Sequence, residues 1–160
     1  MVPAFDMLWH HPGESEEGLY LSPGFDIRMA TQGSMDLNPR IFYRYGSFEA
    51  SISSELFPGI DYTGYSFGLG YGAINRKLGL IIGPEITRIY NRNPEKLQKA
   101  WGLGINTEIR YILSRIFSLS YIGNVKSRPE ISKDFVYSGY IQLNILLYGT
   151  KEDQRVGRLQ

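Results

Sequence analysis

The chain has 160 residues and a net charge of +1, with 17 Lys and Arg against 16 Asp and Glu. That is enough for one closed core and too balanced to argue for nucleic acid or an acidic partner. Cysteine is absent, which excludes disulfide staples and thiolate-bound metal, while 12 Tyr and 18 Gly lean towards sheet. No apolar run reaches the ~18 residues of a transmembrane helix.

Residues 1–17, "MVPAFDMLWHHPGESEE", have neither the basic start nor the apolar core of a signal peptide. An exported form is expected to have lost its signal already. Imidazole binds transition metals, but Trp9–His11 offers two adjacent histidines and no third ligand. No metal site and no cofactor are expected, and the stretch reads as a linker or docking segment.

From residue 18 the chain alternates with period two, which puts successive side chains on opposite faces of a strand. The first strand, 18–31, sets Phe25, Ile27 and Met29 against Gly24, Asp26, Arg28 and Ala30, with a bulge expected at Ser22–Pro23. The second, 39–45, sets Ile41, Tyr43 and Tyr45 against Arg40 and Arg44. The third, 47–57, sets Phe48, Ala50, Ile52 and Leu56 against Glu49, Ser51, Ser53 and Glu55. The fourth, 62–74, sets Tyr65, Phe67, Leu69, Tyr71 and Ala73 against Ser66, Gly68, Gly70 and Gly72.

The fifth strand, 78–90, sets Leu78, Leu80, Ile82, Ile86 and Tyr90 against Gly79, Gly83, Glu85 and Thr87. Pro84 cannot donate to a ladder, so a bulge is expected at Gly83–Pro84. The sixth, 101–113, sets Trp101, Leu103, Ile105, Ile109, Tyr111 and Leu113 against Gly102, Gly104, Asn106, Glu108 and Arg110. The seventh, 116–127, sets Phe117, Leu119, Tyr121 and Val125 against Ser118, Ser120, Asn124 and Lys126. The eighth, 135–149, sets Phe135, Tyr137, Ile141, Leu143, Ile145 and Leu147 against Ser138, Tyr140, Gln142 and Asn144. Residues 150–160 form a polar tail.

Gly46, Asn75–Lys77 and Ser114–Arg115 are tight links; Gln32–Asn38, Pro58–Asp61, Asn91–Ala100 and Arg128–Asp134 are longer. Long and short alternate strictly, as in an up-and-down antiparallel barrel whose long loops share one end. An even strand count leaves both termini at the tight-turn, periplasmic end.

Alternation alone leaves two barrels open. A soluble lipocalin-like barrel turns its apolar face inward around a ligand, whereas a membrane barrel turns it outward. Volume decides. An eight-stranded barrel has an interior just wide enough for side chains to fill, and this many Tyr, Phe, Leu and Ile do not fit inside. The expected lipid-facing set is therefore Phe67, Leu69, Leu80, Ile82, Leu103, Ile105, Leu119, Tyr121 and Leu143. Tyr43, Tyr45, Tyr71, Tyr111 and Phe117 near the tight turns, with Tyr65, Tyr90, Trp101, Phe135 and Tyr137 near the long loops, make an expected aromatic girdle. Ile81, Ile89, Ile122, Val136 and Leu146 fall inward, and Arg88 falls outward, where it has to snorkel to the interface. The inward charges are Arg28, Arg40, Arg44, Arg110 and Lys126 against Asp26, Glu49, Glu55, Glu85 and Glu108, five of each sign. Buried charges must pair, so a compensated lumen network is expected.

With this pattern the chain resembles the small eight-stranded bacterial outer-membrane barrels of the OmpA and OmpX type, over residues 18 to 149. The last strand, "SGYIQLNILLY", is similar to the assembly signal of such barrels, although the chain does not end on an aromatic. The resemblance implies an all-β, eight-stranded antiparallel up-and-down transmembrane barrel in the outer membrane, in contact with outer-membrane lipid.

Some small barrels modify lipid A, but a serine hydrolase needs a histidine beside its serine. His10 and His11 lie outside the barrel on the periplasmic side. Glu85 and Glu108, on neighbouring strands, are the acid–base candidates; lumen salt bridges with Arg110 and Lys126 are the simpler reading. Arg92, Lys96 and Lys99 in the longest loop read as solvated, with lipopolysaccharide phosphate as the functional alternative. The function expected is a non-enzymatic membrane anchor or a subunit of an envelope complex, held to other envelope proteins through its termini. A narrow pore and a soluble lipid binder are the alternatives.

Overall fold

The computed structural model describes residues 17–26, 37–56, 62–74, 77–91, 99–114, 116–127 and 135–149. Residues 1–16 of the expected N-terminal segment, the loop residues Arg92 and Lys96 and the C-terminal tail lie outside them, whereas Glu17 opens the first strand and Lys99, expected in the loop, opens the sixth.

Eight strands close into one antiparallel barrel. The first comes in two pieces, Glu17–Ser22 and Gly24–Asp26; the others are Arg40–Tyr45, Phe48–Leu56, Tyr62–Ile74, Leu78–Asn91, Lys99–Ile112, Phe117–Ser127 and Phe135–Gly149. Each pairs with its neighbour in sequence, and the first pairs with the last through Gly18↔Gly149 and Leu21↔Ile145. Closure removes both sheet edges and pairs the wall's backbone groups within the sheet except beside its prolines.

The turn between the second and third strands is a two-residue hairpin, with Tyr45↔Phe48 as its last rung. Such turns match the twist of their strands when the first central residue has a positive φ, and Gly46 sits at +56°. A side-chain-bearing residue strains that conformation.

Neither expected bulge is there. Ser22↔Arg40 and the bridge Phe25↔Leu37 keep one register on one side of Pro23, as do Leu21↔Ile145 and Gly24↔Gln142 on the other. In the fifth strand, Gly68↔Glu85 and Tyr71↔Ile82 keep one register on either side of Gly83–Pro84. Proline costs the ladder a hydrogen bond at each site without displacing a residue. The register shift lies between Leu19 and Tyr20, which face Tyr148 and Leu146, so Leu147 is the extra residue of the eighth strand. Leu147 and Tyr148 are consequently both exposed, which simple alternation forbids.

Elsewhere the two faces separate by parity. Phe67, Leu69, Leu80, Ile82, Leu103, Ile105, Leu119, Tyr121 and Leu143 all lie exposed on the outside. The interior holds mostly polar and charged side chains, so the lipocalin-like arrangement is not the one this chain adopts. The inward glycines make room for their neighbours: a Cβ on Gly70 would stand 2.7 Å from Ile81 Cγ2, and one on Gly68 2.9 Å from Ser51 Oγ.

Candidate functional site

The lumen is filled in layers. At the tight-turn end, Ile74, Ile81 and Ile112 form a buried apolar plug. Ile74 and Ile112 sit on the inward parity at the last positions of their strands.

Next comes a closed ring of four charges. Arg40 of the second strand reaches Glu49 of the third and Glu108 of the sixth, the latter through Nη1 to Oε2 at 2.7 Å. Arg110, also on the sixth strand, donates from Nη2 to Glu49 Oε2 at 2.7 Å and from Nε to Glu108 Oε1 at 2.6 Å. Each guanidinium thus bridges both carboxylates, and each carboxylate bridges both guanidiniums. Two positive and two negative charges leave no net charge, and the Arg40–Glu108 and Arg110–Glu49 bonds cross the barrel between strands that share no rungs. Charge-assisted bonds of this length are the strong kind.

Aromatic rings support the ring of charges from one side. The guanidinium carbons of Arg40 and Arg110 stand 4.7 and 4.6 Å from the centroid of Phe42. Phe42 in turn stacks on Tyr20, with centroids 4.7 Å apart and planes 6° from parallel. Both rings are fully buried. Volume alone sends bulky groups to the outside, so Tyr20 and Phe42 depart from it. Parity was the available signal, since Tyr20 shares a face with Ser22, and Phe42 with Arg40 and Arg44.

A neutral layer adjoins the ring. Ser120 Oγ donates to Glu108 Oε1 at 2.6 Å, and Asn144 Nδ2 donates to Ser120 Oγ at 2.6 Å. Ser22 Oγ donates to Asn144 Oδ1 at 2.6 Å, and Gln142 Nε2 donates to Asn38 Oδ1 at 2.9 Å.

Towards the long loops, Lys126 bridges Glu55 and Glu85, the second at 2.7 Å. Asn106 Nδ2 donates to Glu85 Oε2 at 3.4 Å and Thr87 Oγ1 to its Oε1 at 3.3 Å. Arg44 is buried near the hairpin and donates from Nε to the Gly46 carbonyl at 2.9 Å. Asp26 belongs to the first strand, but its side chain, and all of Arg28, lie outside the described residues. So do Trp9, His10 and His11.

Glu85 and Glu108 do not come together. Glu85 lies opposite Gly104 and Glu108 opposite Ile81, four rungs apart, or roughly 13 Å along the strand at its usual rise. Each is bonded into a different cation cluster. Their arrangement fits charge neutralisation inside a barrel, and no substrate-sized gap separates either carboxylate from its cations.

Exposed aromatics gather towards the two ends of the outer face, with Phe67 and Tyr121 exposed mid-strand between them. Tyr43, Tyr45, Tyr71, Tyr111 and Phe117 are exposed towards the tight turns, and Tyr65, Tyr90, Trp101, Phe135 and Tyr137 towards the long loops. Phe48 packs against Tyr71 with centroids 5.2 Å apart, and Tyr65 meets Tyr90 edge-on at 5.9 Å.

No protein-family model matches the chain, and no curated protein matches it in sequence. Among solved structures it is similar to the crystal structure of Neisserial surface protein A, with a TM-score of 0.51 and 16% identity over 82% of this chain and 96% of that one. Identity that low speaks for the fold alone. A closed wall of eight antiparallel strands, apolar outside and ionic inside, makes this chain a small transmembrane β-barrel.

Proposed function

We propose that the protein resides in a bacterial outer membrane and serves there as a non-enzymatic anchor or as a subunit of an envelope complex, without conducting ions. The observation that carries this reading is the closed Arg40–Glu49–Arg110–Glu108 ring lying across the lumen beside the isoleucine plug. A filled lumen offers no water path, and fully bonded carboxylates offer no free acid or base. The exposed aromatics at each end serve as interfacial girdles. Strands one and eight meet at Gly18↔Gly149 on the tight-turn side, so partners reached through the termini would be periplasmic.

Planar-bilayer recording tests the closed lumen. The purified barrel is expected to give traces indistinguishable from empty bilayers, and discrete conductance steps would overturn the reading in favour of a pore. Extraction tests the membrane placement. A protein that stays folded and monomeric in buffer without detergent would remove it.

The outward face makes a sharper prediction. Leu69 and Ile105 are 50% and 56% exposed near the middle of their strands. Leu69→Arg or Ile105→Arg is expected to cost about 2–4 kcal/mol when folding into vesicles is titrated with urea. A loss below about 1 kcal/mol at both sites would place them away from the bilayer midplane.

A further inference from the structure

Arg88 stands apart from the other charges of the wall. It lies three residues from the long-loop end of the fifth strand and faces outward, partly buried. Its cross-strand neighbours are Tyr65 on one side and Trp101 on the other. The guanidinium carbon stands 4.5 Å from the Trp101 ring centroid and 5.8 Å from that of Tyr90. Tyr90 is itself held edge-on by Tyr65. Among the described residues no carboxylate pairs with Arg88. By contrast Glu17, at the end of the first strand on the same outer face, accepts from the Tyr43 hydroxyl.

An ionised group on a lipid-facing wall is expensive unless it reaches water or an anion. Three residues amount to roughly 10 Å along a strand, and less along the membrane normal because barrel strands tilt, so the guanidinium of Arg88 is within snorkelling reach of the lipid headgroups. Contact with the Trp101 and Tyr90 rings holds the guanidinium against the wall. A planar donor fork at that level matches phosphate oxygens, which it binds in pairs.

We propose that Arg88, framed by Trp101, Tyr90 and Tyr65, binds the phosphate of a lipid headgroup in the leaflet at the long-loop end. The site selects anionic phospholipids or phosphorylated glycolipids over zwitterionic and neutral lipids. It rests on the bilayer placement of the barrel and is independent of whether the lumen conducts.

Trp101 provides the readout, because Trp9→Phe leaves it as the only tryptophan. The Trp9→Phe protein is inserted into phosphatidylcholine vesicles, and quenching of Trp101 by brominated phosphatidate is compared with quenching by brominated phosphatidylcholine. One basic group near a membrane surface is worth enough for about a five-fold preference for phosphatidate. Arg88→Gln is expected to abolish that preference, and Arg88→Lys to keep part of it. Equal quenching by the two lipids in the Arg88-containing protein overturns the site, as does an unchanged preference in Arg88→Gln. Inorganic phosphate in the buffer is expected to leave the ratio unchanged; competition by it would overturn the lipid assignment in favour of a free anion. Insertion is scored separately by protease protection. A chain that does not insert overturns the bilayer placement and the site together, whereas an inserted barrel without preference overturns the site alone.

Discussion

Arg110→Met is expected to destabilise the barrel by about 3–5 kcal/mol, the cost of stranding buried charge by removing one partner of an ion pair. Arg110 is fully buried and bonds both ring carboxylates. Without it Glu49 and Glu108 share Arg40 alone, and a surplus negative charge faces Phe42 in a closed lumen. Methionine nearly replaces the lost volume, so the penalty is electrostatic and not a cavity effect. Glu108→Gln in the same chain removes the surplus charge and leaves the Arg40–Glu49 pair. The double variant should therefore recover much of the loss, and a double-mutant cycle should give a coupling of well over 1 kcal/mol. The ring is shielded from solvent, so added salt should change the coupling little. Urea-dependent folding into vesicles measures all of these. An Arg110→Met midpoint equal to that of the parent would mean the ring contributes nothing, and the closed-lumen reading would lose its main support.

That ring also marks how far the sequence could be read. Among the described residues, strand positions and faces were legible outside the end of the eighth strand, because a wall with unlike solvents on its two sides forces alternation on each strand. Parity places Arg40, Glu49, Glu108 and Arg110 inside, and the equal count of inward charges requires pairing. It does not say which charge meets which. Arg40 and Glu108 are 68 residues apart and meet across the hollow, where height and azimuth depend on the accumulated stagger of the strands. Register was the less legible part. Proline suggested bulges at Pro23 and Pro84, yet both strands stay in step, because a missing N–H removes a bond without adding a residue. The real insertion, Leu147, had a visible trace in the run Ile145–Leu146–Leu147–Tyr148, four large apolar residues in a row where alternation sets a polar one at every second position. Arg88 was legible as an anomaly from its parity, but its aromatic frame was not, because Trp101 is brought to it by strand pairing and not by sequence proximity.

Gly83→Ala is expected to be the most damaging single-carbon change in the wall, costing upward of about 4 kcal/mol, a size seen only where a substitution meets something that cannot move. Pro84 has no N–H for the fourth strand, and the rungs between Gly68↔Glu85 and Tyr71↔Ile82 are missing. The Leu69 carbonyl instead sits against the Gly83 Cα. A Cβ there would overlap the Leu69 carbonyl oxygen and stand 2.7 Å from its carbon and 2.9 Å from Gly70 Cα. All three atoms are backbone, so no rotamer change relieves the overlap. The strands would have to part at a point where one hydrogen bond is already absent, exposing further backbone groups that a bilayer cannot solvate. Gly123→Ala is the matched control, since its nearest neighbours are Tyr121 atoms at 3.8 and 3.9 Å, and it should stay within about 0.5 kcal/mol of the parent. Folding yield and urea midpoint in vesicles separate the two. Equal midpoints for Gly83→Ala and Gly123→Ala would mean that the fourth and fifth strands yield at Pro84 without cost, and that the wall there is compliant and not tightly seated.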